Sequence, residues 1–276
     1  MQDHSKPIWF TKKENKPIKT HELKPKKFSI FVATPCHSDV SLHYFQACLE
    51  FQKHCIKNNV LCCFQVMKSS LVTQGRNLCV SSFMESGSTH LLFIDSDIDF
   101  KSESIFKMIS ADKDVISVPY PLKTLNWEKG WEKIKEGKIK NEYDLQYKAL
   151  YQYPMKLPNE KDITIRNGVI EVTHSPTGCM LIKREVIEKM IKAYPEKEII
   201  QKTIINGKMT NRPYFYNLFD TDFDSVKKTY LGEDFAFCKR WRDIGGKCYC
   251  LVNDYITHVG EHQYTACFAD ELIKEF

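Results

Sequence analysis

The sequence predicts an α/β protein with a mostly parallel central sheet flanked by helices and a smaller antiparallel hairpin region. Short apolar runs alternate along the chain with segments whose apolar residues recur every three or four positions. The first pattern is typical of buried strands and the second of amphipathic helices, and their alternation indicates a parallel sheet covered on both faces. Polar residues follow several of the predicted strands, and sheets of this class bind ligands at that edge.

The first half of the chain supplies most of this alternation. The strands are expected at 28–33, 60–67, 91–94 and 114–120, and the helices at 40–56, 75–87 and 102–110. Thr34-Pro35 is expected to break the first strand. Ser38 or Asp39 is a suitable cap for the first helix, and Ser102 for the third.

The second half is less regular. Residues 123–160 carry many charged and aromatic side chains with little periodicity, and residues 162–174 alternate around Asn167-Gly168, which predicts a hairpin. The remaining expected elements are a strand and a helix within 175–194, a helix at 231–246, a last strand at 247–252 and a loop at 256–264. Because no repeat or low-complexity linker divides the chain, we expect one domain over 28–276.

Charge and cysteine usage limit the choice of partners and compartment. Residues 1–27 contain eight lysines and three acidic residues, which leaves 32 basic against 32 acidic residues in the remainder. This basic segment is predicted to be a flexible tail, and it lacks the arginine and aromatic pattern expected for nucleic-acid binding. The 11 cysteines have no paired zinc-site spacing, and no apolar run could cross a bilayer. We therefore expect a cytoplasmic protein in a reducing compartment, with no nucleic-acid partner and no transmembrane segment.

The stretch HLLFIDSDIDF (90–100) carries the clearest chemical signal. A buried strand runs directly into Asp95, Asp97 and Asp99, although close carboxylates repel one another. An EF-hand would need glycine and an acid where Phe100 and Phe106 stand, so that class of calcium loop is excluded. A helix cap would need only one carboxylate. The pattern favours a Mg²⁺ or Mn²⁺ site at Asp95 and Asp97, which either share the ion or divide the ion and a ribose hydroxyl between them. Asp99 is expected to be a helix-side acid.

A divalent ion held by so few carboxylates usually shares its shell with phosphates, which suggests a nucleoside diphosphate ligand. The chain has neither a P-loop nor a dinucleotide-binding glycine pattern. Arg76, at the expected start of the 75–87 helix, is the candidate side chain for the diphosphate. Thr34-Pro35, Asp95–Asp99 and Pro119-Tyr120 all follow predicted strands, so we expect them to share one crevice.

The strand ending in D-x-D resembles the metal motif of GT-A-fold glycosyltransferases. The segment TQGRNLCVSSFMESGSTHLLFIDSDIDF, with DKDVISVPYPLK after it, is similar to segments in small glycosyltransferases of large DNA viruses, including the chlorovirus type. It is more distantly similar to fungal mannosyltransferases with a G-R-N and D-x-D arrangement. The resemblance covers 28–125 well and 171–262 in outline.

This resemblance implies roles for particular residues. An acid at the start of a late helix acts on the acceptor, and Asp234 takes that role here as general base, with Glu233 orienting the acceptor or exchanging roles with it. A histidine after the last strand completes the metal shell, which points to His258. The expected site is therefore metal ligands Asp95, Asp97 and His258; nucleotide-sugar contacts Thr34, Pro35, Arg76, Asn77, Asp95, Ser96 and Gly178; and Trp127 as a platform for the acceptor.

The predicted function is a metal-dependent glycosyltransferase. It would move a sugar from a nucleotide-sugar donor, with UDP-xylose or UDP-glucose favoured, to a hydroxyl of a glycan or glycoprotein. Residues 28–125 would bind the donor, and residues 126–276 the acceptor and the catalytic acids. Three alternatives stay open at this point: a retaining enzyme that uses a GDP-sugar, a nucleotidyltransferase, and a non-catalytic carbohydrate-binding module.

Overall fold

A computed structural model describes residues 28–159, 163–205, 208–260 and 263–269 of the protein. The predicted basic tail, residues 1–27, lies outside the described residues. No helix in the described part of the chain is long and apolar enough to cross a bilayer. All 11 cysteines fall in the described ranges and are free thiols, and most of them are buried.

The strands and helices alternate over the first half of the chain, as the sequence predicts. The strands are β1 (Ser29–Cys36), β2 (Leu61–Lys68), β3 (His90–Ile94), β4 (Ile98–Asp99), β5 (Val115–Ser117), β6 (Val169–Val172), β7 (Cys179–Lys183), β8 (Lys202–Ile205), β9 (Lys208–Asn211), β10 (Asp222–Asp224), β11 (Thr229–Leu231), β12 (Cys248–Leu251), β13 (Tyr255–His258) and β14 (Tyr264–Cys267). The helices are α1 (Leu42–Lys57), α2 (Val72–Ser86), α3 (Ser102–Ser110), α4 (Trp127–Lys135), α5 (Glu142–Asp144), α6 (Arg184–Ala193) and α7 (Glu233–Asp243).

The central sheet has seven strands in the order β2-β1-β3-β7-β5-β12-β6. Strands β1, β2, β3, β5 and β12 run in the same direction, whereas β7 and β6 are antiparallel to their neighbours. The predicted class, a mostly parallel α/β sheet flanked by helices with a smaller antiparallel region, is confirmed.

Helices cover both faces of this sheet because its central strands are apolar on both sides. Leu91 and Phe93 of β3 lie in one core with residues of α2, α6 and α7, and Leu92 and Ile94 lie in a second core with residues of α1 and α3. Alternate residues of a strand face opposite ways, so a continuous apolar run fills two cores.

A second sheet of three strands, in the order β14-β13-β4, lies beyond the end of β3. The prediction of a loop at 256–264 is wrong, because β13 and β14 pair with each other and β13 also pairs with β4. The β-branched residues Ile256, Thr257 and Thr265 favour strands, and the hydroxyls of Thr257 and Thr265 are hydrogen-bonded at 2.8 Å. The register matters for the site, since His258 pairs with Ile98, one residue after Asp97.

Several predicted boundaries are also wrong. Strand β1 does not break at Thr34-Pro35 but runs to Cys36; β3 pairs with β1 only as far as Ala33, so Pro35 sits where one side of the strand is unpaired. Helix α2 begins at Val72, a turn earlier than expected.

Neither predicted N-cap is used. The hydroxyl of Ser41, and not Ser38 or Asp39, accepts from the Tyr44 amide at the start of α1. Ser102 is the first helical residue of α3, which follows Lys101 without a side-chain cap.

The hairpin predicted within 162–174 forms only its turn. Asn167 and Gly168 take positive φ values of 52° and 76°, and Arg166 bridges to Val169. The strand that follows, β6, pairs with β12 at the edge of the central sheet.

Candidate functional site

The candidate site lies where β3 ends. The chain turns directly after Ile94, and the turn is closed by a hydrogen bond of 3.1 Å from the Ile98 amide to the Asp95 carbonyl. The Asp95 amide also donates to the Gly178 carbonyl across 3.0 Å, which ties the turn to the start of β7. The apolar strand and its tight turn thus present Asp95 and Asp97 at the carboxyl edge of the sheet.

The carboxylate of Asp97 lies close to two side-chain nitrogen atoms. Its Oδ2 lies 2.5 Å from Lys123 Nζ and 3.3 Å from His258 Nε2. Burial by itself would raise the pKa of Asp97, but the hydrogen bonds and charges of His258 and Lys123 outweigh burial and lower the pKa to about 2. Asp97 is therefore a carboxylate at any physiological pH.

The orientation of the His258 ring is fixed from behind. Its Nδ1 lies 3.0 Å from the carbonyl oxygen of Pro121, which can only accept a hydrogen bond, so Nδ1 carries the proton. Nε2 then faces Asp97, where it can bind a cation or, with a second proton, donate to the carboxylate. A backbone carbonyl behind a histidine is the usual support of a metal-binding imidazole.

Arg76 links the end of β3 to the start of α7. It is 2% exposed, donates from Nε to Glu233 Oε1 at 3.1 Å, and donates from Nη2 to Asp95 Oδ2 at 3.1 Å. Burial disfavours its charge, but the charges of Asp95 and Glu233 outweigh burial and raise the pKa of Arg76. The expectation that Arg76 begins a helix is wrong, because Val72 begins α2. The guanidinium is held by two carboxylates.

Two polar atoms at this junction have no hydrogen-bond partner among the described residues, Arg76 Nη1 and Asp95 Oδ1. Arg76 Nη2 lies 3.0 Å from that oxygen but donates to the other oxygen of the carboxylate. Burial raises the pKa of Asp95, and the charge of Arg76 acts in the opposite direction. Asp95 therefore retains an oxygen that is able to accept one more donor or a cation.

Glu233 and Asp234 begin α7, directly after Gly232. Asp234 accepts from the Phe235 amide at 2.7 Å, and helix N-termini favour carboxylates. Burial nevertheless raises the pKa of Asp234 to about 6, and the charge of Glu233 acts in the same direction. A carboxyl group with this pKa can accept a proton near neutral pH.

Tyr120 lies between the metal-side residues and the acids of α7. Its ring is 4.9 Å from the ring of His258, and burial raises its pKa well above the usual value, with further contributions from Asp95 and Asp234. A Cβ on Gly178 would come within 2.5 Å of the Tyr120 ring. Gly178 is therefore required for the tyrosine to lie against the strand end.

Three other predicted contact residues, Thr34, Pro35 and Asn77, are packed against other parts of the chain. Thr34 is fully buried and bonds to the Tyr44 hydroxyl at 2.6 Å, and Pro35 packs towards Gly75. Asn77 is also buried, where it donates to Asn217 and accepts from the Phe219 amide.

Three predicted residues lie at or near the surface. Trp127 is 62% exposed on the first turn of α4. Ser96 sits in the turn after β3, where its carbonyl accepts from the Ser41 amide. Asp99, expected beside the third helix, pairs through its backbone with Thr257 in the small sheet.

The donor set at the end of β3 fits a hard divalent cation. Asp97 and His258 face one another. A carboxylate oxygen is a ligand that Mn²⁺ and Mg²⁺ prefer, and a neutral imidazole nitrogen can complete the shell of a transition-metal ion such as Mn²⁺. Within the described ranges, no group of three or more His, Cys, Asp or Glu side chains is placed to hold an ion. An ion bound by these residues would draw further ligands from phosphate and water, as Mg²⁺ commonly does.

Two contributors to the site were missed from the sequence. Lys123 reaches Asp97, and the Pro121 carbonyl holds His258. The sequence offered one indication of both residues. The segment PYPLK (119–123) follows the strand that contains Val115–Ser117, and the chain leaves that strand at the same edge of the sheet as Asp97.

Comparisons with known proteins give distant structural likenesses. No family model matches the chain, and no curated protein matches it. The protein A197 from STIV, known from a crystal structure, shares 18% sequence identity with this chain. The match covers 85% of this chain and 87% of that chain, with a TM-score of 0.45. A glycosyltransferase involved in the glycosylation of the major capsid of PBCV-1 is 10% identical, with 61% and 67% covered and a TM-score of 0.33. UDP-glucose pyrophosphorylase is 10% identical, with 81% and 72% covered and a TM-score of 0.33.

Proposed function

We propose that the protein is a metal-dependent glycosyltransferase that moves a sugar from a nucleotide-sugar donor to an acceptor hydroxyl. One observation carries the proposal: the carboxylate–histidine pair Asp97–His258 and the high-pKa acid Asp234 meet around Tyr120 at the carboxyl edge of a mostly parallel sheet. Ligands bind at this edge in such folds.

Asp97 and His258 would hold Mn²⁺ or Mg²⁺, with Asp95 beside them. The ion, when bound, would offset the negative charge that develops on the departing diphosphate. Asp97 suits this role because its pKa of about 2 keeps it charged, and His258 because the Pro121 carbonyl directs Nε2 at the same place. Lys123 is close enough to Asp97 to act as a second positive charge beside the diphosphate.

Asp234 would act as the general base. The acceptor oxygen forms a bond to the anomeric carbon, its proton passes to the Asp234 carboxylate, and the bond from the anomeric carbon to the phosphate oxygen breaks with its electrons going to the nucleoside diphosphate. Attack from the face opposite the leaving group gives inversion. Base catalysis of this kind contributes about 10²–10⁴-fold.

Arg76 would serve mainly to position groups. Its bonds to Asp95 and Glu233 place the strand end and the start of α7 in a fixed relation, and Glu233 lies next to the base. This assigns Arg76 a role beneath the site, where the sequence suggested a direct contact with phosphate.

The donor and acceptor classes come from the resemblance to viral glycosyltransferases. A UDP-sugar is favoured as donor, with UDP-xylose or UDP-glucose as examples, and a glycan or glycoprotein hydroxyl as acceptor. Trp127 remains a candidate acceptor platform because its ring is exposed and sugar faces stack on aromatic rings.

The test is an activity assay over a panel of nucleotide sugars with Mn²⁺ or Mg²⁺ and glycan acceptors. Release of nucleoside diphosphate together with a glycoside of inverted configuration supports the proposal. In a parallel assay with a nucleoside triphosphate and a sugar 1-phosphate, release of pyrophosphate would show a nucleotidyltransferase instead. A glycoside with the donor's configuration would remove Asp234 from the role of base.

A further inference from the structure

A cavity of about 960 Å³ opens beside the candidate site. Its wall includes Leu122, which precedes the Asp97 partner Lys123, and Leu231, which precedes the Gly232–Asp234 helix start. The helix α7 that begins with Glu233 and Asp234 also supplies Lys239, Arg242 and Asp243 to the lining. The cavity therefore adjoins the site on the side of the proposed base.

The lining is strongly basic, and we call it the cationic cavity. Its charged cations are Lys129, Lys156, Lys227, Lys239 and Arg242, against the acids Asp224 and Asp243. Both acids already have partners: Asp243 pairs with Lys239 at 2.6 Å, and Asp224 accepts from the amides of Val226 and Lys227. Five cations against two acids leave the lining with an excess of three positive charges.

The pKa of His174 is lowered by burial and by the positive charges around the cavity. Its ring lies 4.9 Å from the ring of Phe235, the residue after Asp234. Burial lowers the pKa of His174 to about 4, and the charges of Arg242, Lys156, Lys227 and Lys239 lower it in the same direction. A neutral histidine among cations indicates that an added anion would be favoured there.

The cavity also has apolar surface that suits a sugar ring. Tyr153 and Phe268 meet edge to face at 4.9 Å in its wall, together with Met155 and Leu157. Pockets for small molecules combine such apolar surface with a few placed polar groups.

We propose that the cationic cavity binds the anionic group of an acidic acceptor, a sugar that bears a carboxylate or a phosphate. The inference rests on the proposed function for its link to the base, since Lys156 Nζ lies 5.3 Å from the Phe235 ring centre and Phe235 follows Asp234. The donor's diphosphate belongs to the other side of the site, at Asp97 and His258. Carboxylate and phosphate share the chemistry that lysine and arginine recognise.

The test is calorimetric binding of three probes to the intact protein: D-glucuronate, D-glucose 6-phosphate and D-glucose. Either anionic sugar is expected to bind at least tenfold more tightly than glucose, with an affinity that falls as salt is raised. The comparison of glucuronate with glucose 6-phosphate tells carboxylate from phosphate. Equal affinity for all three probes would overturn the proposal, and so would displacement of the anionic sugar by UDP.

Matched variants place the binding in the cavity. Lys156→Gln is expected to weaken the anionic sugar about tenfold, as does loss of one charge-assisted hydrogen bond. Lys113→Gln is its control, because Lys113 also lies over an aromatic ring, Tyr249, at 4.8 Å, but lines a different cavity. Equal losses in Lys156→Gln and Lys113→Gln would overturn the assignment.

Binding of the anionic sugar and release of nucleoside diphosphate, measured separately, distinguish this inference from the proposed function. Asp97→Asn is expected to leave binding of the anionic sugar intact, because Asp97 does not line the cavity. Selective anion binding without nucleoside diphosphate release from any donor would overturn the proposed function and with it the acceptor role. Release from a donor with no preference between charged and neutral probes would overturn the inference alone.

Discussion

His258 Nε2 lies 3.3 Å from Asp97 Oδ2, although 161 residues separate them in the chain. The pairing of β13 with β4 creates this relationship, because it sets His258 opposite Ile98. The Pro121 carbonyl fixes which ring nitrogen faces the carboxylate. A short strand pairing thus brings together the two groups that we propose as ligands of a divalent ion.

Asp97→Asn is expected to lower kcat at least about 100-fold at saturating donor, because the variant loses the charge that would hold the ion. Initial rates of nucleoside diphosphate release measure this loss. Asp99→Asn is the matched control, since Asp99 belongs to the same turn but joins the small sheet through its backbone. Similar losses in both variants would contradict the division of roles between these aspartates.

The acid limb of the pH profile is expected to follow Asp234. A general base must be deprotonated to act, and the pKa of Asp234 is raised to about 6. The value of kcat/KM should therefore fall tenfold per unit below pH 6 and level off above it. Asp234→Asn should lower kcat about 10²–10⁴-fold and remove this limb. A profile unchanged in the variant would exclude Asp234 as the base.

Stability should change with pH through the same residue. The folded pKa of about 6 is above the ordinary value of 3.8, so the folded state binds the proton more tightly than the unfolded chain. The contribution of Asp234 to stability is full below pH 4 and is lost as the pH rises through 6. Asp234→Asn should therefore raise the free energy of unfolding at pH 8 by about 1 kcal/mol, after allowance for partial exposure, and by less at pH 4. The Tm should rise accordingly. Thermal melts at both pH values measure the difference.

Arg76→Met is expected to destabilise the fold by about 3–5 kcal/mol, because it leaves Asp95 and Glu233 without their shared cation. Lys247→Gln provides the comparison, since its pair with Glu171 is exposed and such exposed pairs contribute little to stability. Chemical denaturation gives both free energies of unfolding. A loss in Arg76→Met as small as that in Lys247→Gln would show that the buried pairs do not hold the strand end and α7 together.

Gly178→Ala should cost about 1–3 kcal/mol, because the new methyl group would overlap the Tyr120 ring. Tyr120→Ala removes the ring and makes room for it. The double variant should therefore be more stable than the sum of the two single losses predicts. Strict additivity of the three free energies of unfolding would rule out contact between these residues as the cause.

Local patterns in the sequence predicted the fold class and drew attention to several residues of the candidate site. The apolar run directly before Asp95 predicts a strand with acids at its end. Glu233 and Asp234 precede a pattern that predicts a helix. Both signals lie within a few residues of the side chains concerned, so periodicity and spacing suffice to find them.

Features that depend on distant partners were not predictable in this way. Strand β13 exists because β4 and β14 pair with it, and its residues alone do not distinguish it from a loop. Helix α2 begins after Leu71, which has no capping side chain and hence no sequence signal. Lys123 becomes part of the site only because β5 brings the following residues to the edge beside Asp97.

The binding of nucleoside diphosphate with and without Mn²⁺ tests the central claim most directly. Calorimetric titration of the wild-type protein with UDP is expected to show at least about tenfold tighter binding in Mn²⁺ than in EDTA, since Asp97 and His258 would hold the ion and its charge would offset that of the phosphates. Asp97→Asn should lose this enhancement, and a parallel series with GDP tests the choice of nucleotide. If neither nucleotide binds more tightly in Mn²⁺, or if Asp97→Asn keeps the full enhancement, the proposed metal site at the end of β3 is contradicted.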